Sequence, residues 1–164
     1  MQTKREGKNV DLLRGIVSSD FRLKEYPGTG SFDHVKTDFE LKPADWLTFY
    51  SDTDYDTVRD HLSSANFDIY VNDGDKWSFG LGKRYNREVD DQITSDLKYR
   101  FNPKWAFRFY QRFDVDGGIM KEQEYTVTRD LHEWEMDVNF NQTRGEGSEI
   151  WLVFRLKAFP DMTI

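Results

Sequence analysis

Trp134-Glu-Met-Asp-Val-Asn-Phe-Asn-Gln-Thr-Arg-Gly-Glu-Gly-Ser-Glu-Ile-Trp-Leu-Val-Phe-Arg-Leu-Lys157 reads as two β-strands joined by a polar loop. Trp134, Met136, Val138 and Phe140 alternate with Glu135, Asp137, Asn139 and Asn141. Ile150, Leu152, Phe154 and Leu156 alternate in turn with Trp151, Val153, Arg155 and Lys157. Alternation with a period of two gives each strand one apolar and one polar face. The loop Gln142–Ser148 carries two glycines, a turn signal.

The same pattern extends backwards through the chain. Trp105, Phe107 and Phe109 alternate with Ala106, Arg108 and Tyr110, and Trp77, Phe79 and Leu81 with Ser78, Gly80 and Gly82. Ile93, Leu97, Tyr99 and Phe101 stand against Thr94, Asp96, Lys98 and Arg100. Trp46, Trp77, Trp105 and Trp134 recur at separations of 31, 28 and 29 residues, each opening a strand after a short turn. That period is one hairpin. No segment carries a 3.6-residue stripe. The fold class this predicts is all-β: an up-and-down antiparallel β-barrel of about ten strands (8–10), since closure removes the free edges. That the barrel spans a membrane is a further expectation, drawn from its loops and its Trp spacing.

Along the chain, residues 1–9 are expected to be a disordered tail and residues 10–164 a single barrel domain. A strand is predicted from Val10 to about Lys24, a loop over Glu25–Asp33, and a long Asp-rich loop from Asp52 to about Ser64. Asn86–Asp91 and Asp114–Gly118 read as further connections, and Ile119–Thr128 as the least regular strand. The connections are expected to be short before each Trp and mostly longer at the other end, the usual asymmetry of outer-membrane barrels.

Composition sets the outer limits. The 164 residues suffice for one domain with a core. A net charge of -7, from 30 acidic and 23 basic residues, argues against general nucleic-acid binding, which needs a positive field. There is no cysteine, hence neither a disulfide framework nor a thiolate metal site. No apolar run is long enough for a transmembrane helix. Met1–Lys8 lacks the apolar segment of a signal peptide, so an exported protein is expected to begin here after its signal.

Alternation does not say which face meets which medium. In a membrane barrel, Trp46, Trp77, Trp105 and Trp134 form an interfacial girdle. Phe79, Leu81, Phe107, Phe109, Met136, Val138, Phe140, Ile150, Leu152 and Phe154 then face lipid. The lumen is lined by Lys98, Arg100, Arg108 and Arg112, by Glu122, Glu124, Glu135 and Asp137, and by Arg155 and Lys157, with opposite signs on adjacent strands able to pair. The alternative is a water-soluble barrel, natural or engineered, with the apolar face inside and a small-ligand pocket whose mouth the indoles line. A mean hydropathy of -0.81 favours water, and Lys83, Gln111, Lys121 and Gln123 interrupt the apolar face.

Catalytic chemistry has little to stand on. His34, His61 and His132 are scattered without ligand spacing, and neither Asp52–Asp56 nor Asp114–Gly118 has the spacing and terminal Glu of an EF-hand. Ser18-Ser19 and Ser63-Ser64 have no partner base. The expectation is no enzyme, no cofactor and no metal; an outer-membrane enzyme using loop acids is the least supported reading.

Tyr125-Thr-Val-Thr-Arg-Asp-Leu-His-Glu-Trp-Glu135, followed by Gly147-Ser-Glu-Ile-Trp-Leu-Val-Phe-Arg-Leu-Lys-Ala-Phe-Pro160, resembles the end of the barrel domain of the lipopolysaccharide-assembly outer-membrane protein family, LptD. Leu97-Lys-Tyr-Arg-Phe-Asn-Pro-Lys-Trp-Ala106 is similar to that domain's tyrosine-rich hairpins. The resemblance covers about residues 90–160. It implies a bacterial outer-membrane location and the last step of lipopolysaccharide export. In that step a barrel plugged by a lipoprotein partner releases lipid through a gate between its first and last strands. The chain departs from the family in being far shorter than the whole barrel, in lacking a jellyroll domain, and in having no cysteine. Glu133 stands where relatives often carry Cys. The chain does not end on a barrel-closing aromatic residue, for which Phe154 and Phe159 are the nearest candidates. It is therefore expected to be a fragment, a small relative, or a protein built from such hairpins.

Overall fold

A computed structural model describes residues 1–5, 8–21 and 32–158. Every element among them is a strand: β1 (Gln2–Arg5), β2 (Lys8–Asp11), β3 (Leu13–Phe21), β4 (Phe32–Ala44), β5 (Leu47–Asp56) and β6 (His61–Asp73), then β7 (Trp77–Asn86), β8 (Asp90–Asn102), β9 (Trp105–Asp114), β10 (Ile119–Asp130), β11 (Trp134–Thr143) and β12 (Gly147–Leu156). Strands β3 to β12 form one antiparallel ten-stranded meander in sequence order, with β3 and β12 at its two ends. By internal contacts the chain divides into two compact units, one of residues 1–70 and 82–92, the other of residues 71–81 and 93–164.

The disordered tail predicted for residues 1–9 is corrected in its described part. β1 and β2 pair from Gln2↔Asp11 to Arg5↔Lys8. The Met1 carbonyl accepts from the N–H groups of Leu12 and Leu13, and the N-terminal ammonium donates to the Leu13 carbonyl at 2.7 Å. A polar composition does not forbid this, because ladder bonds come from the backbone. The Val10–Lys24 strand is observed as β3 from Leu13; its end beyond Phe21, and most of the Glu25–Asp33 loop, lie outside the described residues, as do Phe159 and Pro160–Ile164.

The Asp52–Ser64 loop is also corrected: β5 runs to Asp56 and β6 starts at His61, leaving residues 57–60 as the connection. Asp has low strand propensity, but Asp52, Asp54 and Asp56 fall on one face of β5 and Thr53 and Tyr55 on the other, and pairing with β4 overrides propensity. The expected loop asymmetry shrinks accordingly. Residues 45–46, 74–76, 103–104 and 131–133 turn the chain at the Trp end, and 57–60, 87–89, 115–118 and 144–146 at the other. Several turns place one residue at positive φ: Asp60, Glu88, His132 and Gly118 among them. The Asp-rich stretches build these turns. The Asp56 carboxylate accepts from the N–H groups of Val58 and Arg59, Asp114 from Gly117, and Asp130 from His132.

The irregularity of β10 has a local cause. Its register against β9 shifts between Met120↔Phe113 and Glu122↔Arg112, so a bulge at Lys121 moves the alternation by one residue. Beyond it Gln123, Tyr125, Val127 and Arg129 lie opposite Gln111, Phe109, Phe107 and Trp105.

Candidate functional site

In the C-terminal unit the ladder registers line the predicted apolar residues up in rows. Phe107, Val127, Val138 and Leu152 form one row across β9, β10, β11 and β12, and Phe109, Tyr125, Phe140 and Ile150 the next. Towards the Trp end follow Trp105, Arg129, Met136 and Phe154. Ring centroids of Phe109 and Tyr125 are 4.9 Å apart, and those of Tyr125 and Phe140 5.9 Å. The amides Gln111, Gln123 and Gln142 form a polar row beyond. Two of the interruptions noted in the sequence, Gln111 and Gln123, are thus neighbours across the ladder. The other two, Lys83 and Lys121, pair with Asp91 and Asp114.

These rows are not a core. Among the described residues the one buried apolar side chain is Ala65, and no large side chain is fully buried. Ile150 is 72% exposed and Leu152 57%, while Phe79, Leu81, Val127 and Phe154 are also exposed. The side chains that are buried are polar: Asp56, Gln92, Ser95 and Asp137. On β7 the alternation is reversed from that of a soluble protein, with Phe79 and Leu81 exposed and Gly80 and Gly82 buried. In the N-terminal unit Val17, at 74%, and Phe39 are exposed on the face opposite Asp38, Glu40 and Asp52.

The opposite face carries the predicted charges, and most meet a partner across neighbouring strands. The Arg155 guanidinium donates to Glu135 and to Asp137, each at 2.5 Å. Asp137, 6% exposed, also accepts from the Thr128 hydroxyl at 2.6 Å. Arg108 lies 2.8 Å from Asp96 and 3.7 Å from Glu124, Arg112 3.2 Å from Glu122, and Lys98 4.0 Å from Asp96. Lys157 pairs with Asp130. Arg100 has no ion-pair partner among the described residues. The N-terminal unit has its own set: Arg84 grips Asp68 with two bonds of 2.7 and 2.8 Å, and the His34 ring lies 2.6 Å from Asp54.

Sequence reasoning missed three members of this arrangement. Asp96 is the shared partner of Arg108 on β9 and Lys98 on β8, and its signal was its parity with Lys98. The Thr126 hydroxyl donates to Asn139, a neutral bond between the charged rows. Arg129 lies on the apolar face, its guanidinium 4.6 Å from the Trp105 ring centroid, a cation–π contact. Trp46 precedes β5, and Trp77, Trp105 and Trp134 open β7, β9 and β11, so all four stand at one end of their strands. No group of three or more His, Asp or Glu among the described residues is placed to hold a metal.

No protein-family model matches this chain, and no curated protein matches it either.

Proposed function

We propose that this chain is an outer-membrane β-barrel of a structural or transport-related kind, with its apolar rows against lipid and its ion-paired face lining the lumen. The observation that carries the reading is the inverted burial: exposed Phe79, Leu81 and Ile93 beside buried Gly80, Gly82 and Gln92 on the other face, and buried Asp137 between half-buried Met136 and Val138. Leaving a large apolar side chain in water forgoes about 1.5–3 kcal/mol. Lipid removes that cost. Strand length agrees: β7, β9, β11 and β12 have 10 residues each. At a rise of ~3.3 Å and a tilt of ~40° such strands cover a band of roughly 25 Å, the apolar height of outer-membrane barrels. Closing the meander into a barrel would remove the unpaired groups of its end strands, which lipid cannot solvate. The paired charges suit a lumen, where an unpaired one would be costly.

The resemblance of residues 90–160 to the LptD barrel makes lipopolysaccharide handling the transport role that fits, with a bacterial outer-membrane location, a lipoprotein as the partner, and no enzymatic activity. Folding in nonionic detergent and in plain buffer tests the reading. The barrel is expected to be monodisperse and heat-modifiable on gels in detergent, and to aggregate without it. A folded monomer in plain buffer would favour the water-soluble barrel instead.

A further inference from the structure

The polar face of the C-terminal unit carries an open recess of 490 Å³ near the Trp end of its strands, lined by Lys76, Ser78, Lys98, Arg100, Arg108 and Asn139 among others. That volume is typical of small-ligand sites, which run from about 300 to 1,000 Å³. Its charges are unequally spent. Arg108 and Lys98 are engaged by Asp96 and Glu124, and the acid in the wall, Asp137, is held by Arg155. Asp75, in the 74–76 turn, is exposed at the rim. Lys76 and Arg100 have no ion-pair partner among the described residues, and the Arg100 N–H donates to the Lys76 carbonyl at 2.7 Å, which ties the two positions together. A guanidinium fork beside an ammonium suits a phosphate dianion, the first by paired bonds and the second as a point charge. Ser78 and Asn139 add a hydroxyl and an amide, the groups that recognise a neutral polyol.

We propose that this recess binds a phosphomonoester attached to a small polar carrier, with Arg100 and Lys76 taking the phosphate. The chemistry is shared by soluble sugar phosphates and by phosphomonoester lipid headgroups. The proposal stands whichever face of the sheet meets lipid, so its failure would leave the barrel reading untouched.

Calorimetry on the folded full chain in nonionic detergent tests it, with glucose 6-phosphate, glucose and dihexanoyl phosphatidic acid as probes. Glucose 6-phosphate is expected to bind and glucose not. Arg100→Gln and Lys76→Gln should each weaken binding roughly tenfold, the loss of one charge-assisted contact. Arg144→Gln, in the 144–146 turn at the other end of the strands, should leave it unchanged. Lys76 is exposed in a turn, so its variant reads the site even where Arg100→Gln disturbs folding. Tighter binding of phosphatidic acid than of glucose 6-phosphate would assign the site to a lipid headgroup, and the reverse order to a soluble phosphate. Equal responses to glucose and glucose 6-phosphate, no binding of either phosphate, or an equal loss in Arg144→Gln would overturn the proposal.

Discussion

Leu152→Arg is expected to destabilise the bilayer-inserted protein by about 2–4 kcal/mol, the cost of an arginine near the midplane of a barrel's lipid face. Leu152 sits in the middle row, opposite Val138, between the apolar pairs Met136↔Phe154 and Phe140↔Ile150. It is 57% exposed. At an exposed site in water the same substitution belongs within about 0.5 kcal/mol of neutral. The two media thus predict effects that differ several-fold for one side chain, and equilibrium urea titration in lipid vesicles reads the difference. An effect below about 0.5 kcal/mol in vesicles would place Leu152 outside the hydrocarbon.

Arg155→Met is expected to cost about 3 kcal/mol, measured by the same titration, and more than Glu135→Gln. Among the described residues Arg155 is the one cation on both Glu135 and Asp137, so removing it leaves two carboxylates on the same face of β11. Asp137 is the more buried of the two, and taking away one partner of a buried pair leaves an uncompensated charge. Asp137→Asn in the Arg155→Met background should recover part of the loss, since the amide keeps the Thr128 hydroxyl bonded without the charge. Glu135→Gln leaves the Arg155–Asp137 contact intact and is more exposed, where ion pairs are worth about 0–1 kcal/mol. Equal losses from Arg155→Met and Glu135→Gln would mean that Asp137 is hydrated rather than held by Arg155.

Strand type and order were legible in the sequence because period-two alternation marks most strands from β7 to β12, and the Trp spacing marks each hairpin. The ends of β5 and β6 were not, because Asp52–Asp56 has the composition of a loop and the pairing that makes it a strand comes from β4. The bulge at Lys121 was visible only as irregularity, since one inserted residue shifts the parity of the first part of β10 without a glycine to mark it. Charge complementarity across β9, β10, β11 and β12 followed from parity and strand order, whereas the role of Asp96 needed coordinates to show that it serves two cations. The mean hydropathy of -0.81 does not separate the two readings, because it averages turn acids and paired face charges together with the apolar rows. Face assignment was beyond the sequence altogether, because exchanging inside for outside leaves alternation unchanged; burial adds that the apolar rows of the meander are not a packed core.

Tryptophan quenching by brominated lipids tests the central claim most directly. In vesicles of lipid brominated close to the headgroup, a Trp151→Phe variant, which retains the indoles of Trp46, Trp77, Trp105 and Trp134, should have those indoles strongly quenched. Bromines near the acyl-chain ends should quench them less, while a Leu152→Trp variant should add emission that these deep bromines do quench. Indoles untouched by bromine at either depth, in a protein that is folded by circular dichroism, would contradict the account and turn the apolar rows inward.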